Sequence, residues 1–205
     1  MKQFVAASIL AVLIGAGAAN AQDSGASTAA RMVDAEGKSA GTVTFNQTKS
    51  GMLHVIVEMT GIEPGPHGFH VHETGACDAA GGFKSAGGHY AGDKDHGVGA
   101  PNGPHPGDFP NVNVGPDGVL KTEFFTDRLT LDREGENPLL DDDGSAVVVH
   151  GNQDDYFSQP SGEAGLASHV AWWNRSDSDQ FPVRRKCSRQ RDAGTPPPPV
   201  RRGPA

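Results

Sequence analysis

The chain has 205 residues and a formal net charge of −8 with histidine neutral, but the charge is uneven. Gln22 to Trp173 carries eight Lys/Arg against twenty-two Asp/Glu, while the stretch beyond Trp173 carries eight against three. A body so acidic is repelled by phosphate backbones, which excludes nucleic acid as the partner.

In chain order, Lys2 supplies a short positive region, Phe4 to Ala18 an apolar run, and Ala19-Asn20-Ala21 a small-residue cleavage pattern. Residues 1–21 read as a secretory signal peptide, with cleavage expected after Ala21. The apolar run is short and no second one follows, so no membrane span is expected. Export, to a bacterial periplasm, places the chain where disulfides persist. What remains is long enough for one domain with a sizeable core.

Residues 22–30 read as a flexible N-terminal segment, 31–173 as the domain, and 174–205 as a disordered Pro/Arg-rich tail whose PPPP run cannot join a sheet. Within the domain, β-prone segments recur at Gly41 to Asn46, Met52 to Met59, Gly68 to Glu73, Val119 to Phe125 and Ala146 to His150. Turn signals separate them at Glu36-Gly37, Lys49-Ser50-Gly51, Pro116-Asp117-Gly118 and Asp141 to Gly144. No segment carries a helical period. The expected class is all-β, an antiparallel sandwich or barrel of about eight strands. Two loops, roughly 74–110 and 151–165, are too long to be slack and are expected to be functional.

The segment GFHVHETGACD, residues 68–78, places His70 and His72 on either side of Val71. Side chains in a strand alternate faces, so the two imidazoles point the same way. For this pair alone two readings stand: solvated surface histidines, or two neutral ligands of one metal. The first long loop then brings GGHYAGDKDHGVGAPNGPHPGD, with His89, His96, His105 and Asp108. Three imidazoles and a carboxylate three residues past the last of them suit tetrahedral zinc. His70, His72 and His150 lie at or near strand ends, and three imidazoles with an open position suit copper. No free Asp or Glu is placed as a general base beside an open zinc position, which argues against a hydrolase.

The motifs GFHVHETGACD, FKSAGGHY, HGVGAPNGPHPGDFPNV, LLDDDGSAVVVH and DDYFSQPSGEAG follow one another in the order and approximate spacing of copper–zinc superoxide dismutases. The resemblance is closest to the bacterial periplasmic branch and covers roughly residues 31–165. It implies a Greek-key β-barrel of the immunoglobulin-like sandwich type, an architecture for which this family is a standard example. It implies copper at His70, His72, His89 and His150, zinc at His89, His96, His105 and Asp108, and His89 bridging the two ions. Asp154 matches a carboxylate that hydrogen-bonds His70 and His96, while His67 resembles a histidine of the family that bonds locally without ligating; His54 and His169 are not expected to be ligands. The implied activity is dismutation of two superoxide anions to dioxygen and hydrogen peroxide by Cu(II)/Cu(I) cycling, with His89 taking up a proton and zinc structural. Monomer and homodimer both stay open.

Two departures from the family pattern are visible. Tyr90-Ala91-Gly92 stands where members carry an aromatic-Asn-Pro run. After Gly165 the chain reads LASHVAWWN, where members carry a strand like ARIACGVVE with an anion-guiding arginine and a cysteine that pairs with the TGAC cysteine. Codons for LASHVAWWN exist that read RIACGVVE in a shifted frame, so the tail is read as a frameshift product. Cys77 thus lacks the family's usual partner, and Cys187 is the only other cysteine. The alternative function is a catalytically impaired copper- and zinc-binding periplasmic protein.

Overall fold

A computed structural model describes residues 25–162 and 164–173; the signal-peptide expectation and the 174–205 tail lie outside the described residues. Nine strands run in chain order: β1 Ser27–Asp34, β2 Ser39–Gln47, β3 Leu53–Thr60, β4 Gly65–His67, β5 Phe69–His72, β6 Val112–Val114, β7 Val119–Thr126, β8 Ser145–His150 and β9 Ala167–Trp173. Seven form one antiparallel sheet in the order β5-β8-β9-β1-β2-β3-β7, and β4 pairs with β6. Among the described residues the only helical segment is a 3-10 turn at Lys84–Ala86. The all-β expectation holds, with nine strands rather than about eight.

Alternation builds the core. Val43 and Phe45 of β2 and Leu53, Val55, Val57 and Met59 of β3 are buried, while Thr42, Glu58 and Thr60 face outward. β8 is buried along its whole length because both of its faces are covered. Val147 and Val149 enter the main core, and Ala146 and Val148 pack with Val33, Phe83 and Val170 in a second cluster against Cys77. That explains its uninterrupted SAVVVH run, which period-2 reading alone could not assign a face.

Three elements differ from expectation. β1 begins at Ser27, inside the segment read as a flexible lead-in, because Ala30 and Met32 bury against β2 and seven residue pairs register. β4 and β6 are three-residue strands, too short to leave a periodic signal. β9, formed by ASHVAWW, pairs with β8 from Ser145↔Trp173 to His150↔Ala167 and with β1 at Val33↔Val170. Its β-prone composition suffices for that slot although the family's residues are missing.

Candidate metal centre

β5 is the strand that organises the site. Phe69 and Val71 point into the core, so His70 and His72 share the opposite face. On one side β5 pairs with β8, placing His70 opposite Val148 and His72 opposite Ala146. Ala146, Val148 and His150 alternate along β8, so His150 arrives on the same face as the two β5 histidines. On the other side the first long loop pairs with β5 where a further strand would lie. Val71 N donates to Gly107 O, Tyr90 N to Val71 O and Glu73 N to Gly88 O. The resulting bridges set His89 opposite His72 and Asp108 opposite His70. Backbone pairing thus fixes where five donors stand.

Two donor sets result. His70, His72, His89 and His150 form one; His89, His96, His105 and Asp108 form the other. In each, one donor atom per residue lies within 4.8 Å of all the rest, and His89 belongs to both. All seven residues are buried, with His70 and His96 at 0% exposure. A third grouping, His96 with Asp154 and exposed Asp155, is the hydrogen-bonded periphery of the second set.

The ring tautomers follow from the partners. His72 Nδ1 lies 3.0 Å from Gly87 O and His150 Nδ1 2.9 Å from Gly165 O. A carbonyl only accepts, so both Nδ1 atoms carry the proton and both Nε2 atoms keep a lone pair. Those two Nε2 atoms face each other at 3.4 Å. Without a proton between them they repel, and a cation between them removes the repulsion. His70 donates from Nε2 to Asp154 Oδ2 at 2.8 Å, leaving Nδ1 buried without a hydrogen-bond partner. Burial, reinforced by the neighbouring imidazoles, holds His70 down to about 3 and His72 well below its ordinary value. Burial also lowers His150 to about 4 and depresses His105. Neutral rings with inward lone pairs are what a metal requires.

Three distances in the second set match the spacing of zinc ligands. Ligands 2.0–2.1 Å from a tetrahedral zinc ion stand about 3.3 Å from one another. His89 Nδ1 and His105 Nδ1 lie 3.2 and 3.4 Å from Asp108 Oδ1, and His96 Nδ1 lies 3.2 Å from Oδ2. The Nδ1 atoms of His96 and His105 are buried without hydrogen-bond partners. Burial works against the charged form of Asp108, but hydrogen bonds from His89 and the Gly97 amide, with the electrostatic influence of the neighbouring imidazoles, hold its carboxyl below the usual range. The residues could therefore hold two metal ions that share one imidazole.

Asp154 ties the sets together. Its Oδ2 accepts from His70 and its Oδ1 from His96 at 3.1 Å and from Tyr156 N at 2.9 Å. These hydrogen bonds overcome the opposing effect of burial and depress its carboxyl. Gly162, at φ 71, leaves room for this carboxylate, since a Cβ there would overlap Asp154 Oδ1.

Several supporting groups escaped the sequence reading. Asn111 pairs with Asp154 twice, Nδ2 to Asp154 O at 2.9 Å and Asp154 N to Oδ1 at 2.8 Å. Asn111 N also donates to Tyr156 Oη at 2.7 Å, and Tyr156 holds a left-handed φ of 66°. The three-residue step from Asp108 to Asn111 was the only available hint. The carbonyls of Gly87 and Gly165 carry no residue-type signal at all. His67 bonds the carbonyls of Glu63 and His150, and His54 stacks on Phe125 at 4.5 Å beside Glu123; both stand apart from the donor sets.

Residues 39–172 match the family model described as copper/zinc superoxide dismutase. A protein of Aquifex aeolicus named "Superoxide dismutase [Cu-Zn] 1" is 39% identical over 140 residues, covering 67% of this chain and 82% of that protein. "Superoxide dismutase [Cu-Zn]" of Caulobacter vibrioides is 41% identical over 133 residues, 63% of this chain and 75% of its own. The fold superposes on a crystal structure of a SOD-like protein from Bacillus subtilis with a TM-score of 0.68 at 33% identity, covering 72% of this chain and 99% of that one. With the strand order, the paired donor sets and a match over most of its length, the chain belongs to the copper/zinc superoxide dismutase family.

Proposed function

We propose that the protein is an exported superoxide dismutase that converts two superoxide anions and two protons to dioxygen and hydrogen peroxide. His70, His72, His89 and His150 hold copper, and His89, His96, His105 and Asp108 hold zinc. The observation that carries the reading is the sharing of His89 between two buried donor sets whose free ring nitrogens face inward. Bound copper supplies the one-electron cycling, while zinc supplies position and charge.

The chain's own residues do the rest. Gly87 O, Gly165 O and Asp154 lock the tautomers of His72, His150 and His70. His89 Nδ1 stands 3.2 Å from Asp108 Oδ1, which leaves Nε2 for the copper set. With copper bound, His89 Nε2 would be the atom placed to hold a proton whenever it is released from the metal. Cleavage after Ala21 would deliver the chain to a bacterial periplasm, where Cys77 and Cys187, its two cysteines, can form a bridge. Superoxide decay should be measured on the chain loaded with one copper and one zinc, with His89→Ala alongside. Cyanide-sensitive decay that His89→Ala abolishes supports the reading. Two ions that fill as unconnected centres, with spectra indifferent to His89→Ala, refute it.

One observation favours a second reading, a metal-binding protein with impaired turnover. From His150 to Trp173 there is no Lys or Arg, and Ala167 opens the strand where family members carry the guiding arginine. Full metal binding without measurable superoxide decay would select it.

A further inference from the structure

The segment between β7 and β8, residues 127–144, is a third loop that touches the centre without supplying a donor to it. We propose that Arg128 in this loop is a positioning residue for the donor set that ends in Asp108. The proposal rests on the reading of that set as a zinc site.

Both carboxylate oxygens of Asp108 are engaged inside the site. Oδ2 accepts from Gly97 N at 2.9 Å and His105 N at 3.0 Å, while Oδ1 faces His89 and His105. The peptide that carries this side chain is held from outside. Asp108 O accepts from Arg128 Nη2 at 2.6 Å, and Phe109 N donates to Phe69 O at 3.3 Å. The guanidinium contact therefore sets the orientation of the 108–109 peptide, and with it the direction in which the carboxylate leaves the chain. Removing it leaves that peptide held by the Phe109 N contact to Phe69 O, with its carbonyl no longer anchored.

Arg128 is itself rigidly placed. Its N donates to Thr126 Oγ1 at 3.1 Å, its carbonyl accepts from Asn137 Nδ2 at 3.1 Å, and the flanking Leu129 is buried in the core. Thr130 Oγ1 and Leu131 N both bond Gln47 Oε1, tying the loop to the end of β2. The same loop meets the metal loop again where Tyr90 Oη donates to Pro138 O at 3.2 Å. Arg128 Nε is buried without a hydrogen-bond partner, while its Nη2 donates to Asp108 O. A charged, partly unsatisfied side chain retained at that point is accounted for by the carbonyl it holds.

The test compares the full chain with Arg128→Ala, Arg128→Lys and, on the exposed face of β7, Lys121→Ala. Zinc affinity is read by competition with a chromophoric chelator, and geometry by the visible spectrum of cobalt(II) in the same site. Arg128→Ala should weaken zinc by about 10–100-fold and alter the cobalt bands. Arg128→Lys should recover part of both, and Lys121→Ala should change neither. An Arg128→Ala protein with unchanged zinc affinity and cobalt spectrum overturns the inference. If that variant does not fold, Arg128→Met, which keeps the apolar stem without a donor, decides by the same two readouts, and unchanged zinc affinity with an unchanged cobalt spectrum in it overturns the inference. An unsubstituted chain that binds no zinc would refute the metal-site reading itself, a result distinguishable from failure at Arg128 alone.

Discussion

Asp154→Asn tests the link between the two donor sets with almost no change of shape. The amide keeps one oxygen and replaces the other with a donor. Placed with its nitrogen toward Oδ1, it would confront two N–H groups, from His96 and Tyr156, so the oxygen is expected to stay on that side. The nitrogen then faces His70 Nε2 at 2.8 Å, donor against donor. His70 can relieve the conflict only by moving its proton to Nδ1, the buried atom that otherwise offers its lone pair to the copper set. One ligand of four is thereby switched off, and one charge-assisted hydrogen bond of about 1.5–3 kcal/mol is lost. The expected result is copper binding weakened by about 10–100-fold, with zinc, whose His96 contact persists, affected less. Chelator competition combined with copper electron paramagnetic resonance measures both. Copper retained within about threefold while zinc falls further would refute the tautomer argument.

Asn111→Ala removes both side-chain bonds to the Asp154 backbone and should loosen residues 151–162, seen as faster amide exchange there together with weaker retention of both ions. In the metal-free protein His70, His72 and His150 have folded values below the unfolded 6.5, so unfolding takes up protons as the pH falls below about 6.5. Stability should drop by about 4 kcal/mol per pH unit near pH 5 for three such groups, and a flat urea-unfolding profile between pH 7 and 5 would contradict this. Non-reducing mass mapping should find Cys77 joined to Cys187; a bridge over a loop of this size is worth about 2–5 kcal/mol, and two free thiols would remove that contribution.

How much was legible depends on what kind of contact made each feature. His89, His96, His105 and Asp108 could be grouped by spacing and His70 with His72 by strand alternation, whereas the sharing of His89 and the role of Asp154 were legible only through the resemblance to a known family. β2, β3, β7 and β8 declared themselves by period or by apolar runs. β1 did not, because STAARMVD has neither a period-2 alternation nor an apolar run and is a strand by virtue of its seven pairings with β2. The third loop was missed for a related reason. Residues 127–144 act through Arg128 on a main-chain oxygen and through Pro138 O on Tyr90, and contacts made to or by backbone leave no pattern in residue identity. The same holds for the carbonyls of Gly87 and Gly165, which decide the tautomers of two histidines.

The altered C-terminus and the intact donor sets make different demands on sequence, which yields a sharp expectation for kinetics. β9 serves β8 by backbone pairing and by burying Val170 and Ala171, requirements that many β-prone sequences meet. Among the described residues no donor lies beyond His150, and the carbonyl that supports His150, Gly165 O, precedes the altered strand, so metal affinity should survive the substitution of this strand. Anion capture is another matter. The described residues hold eight Lys/Arg against twenty Asp/Glu, with none of the basic ones between His150 and Trp173. Electrostatic steering, of which enzymes of this family are a familiar case, changes association rates by about 10–10³. Here the long-range field repels an anion, so the second-order rate for superoxide should be low and should rise with ionic strength as the repulsion is screened. Pulse radiolysis of the copper- and zinc-loaded chain between low and physiological salt reads the slope directly. A rate that falls steeply with added salt would mean that cations do line the approach to copper, and the argument from β9 would be wrong.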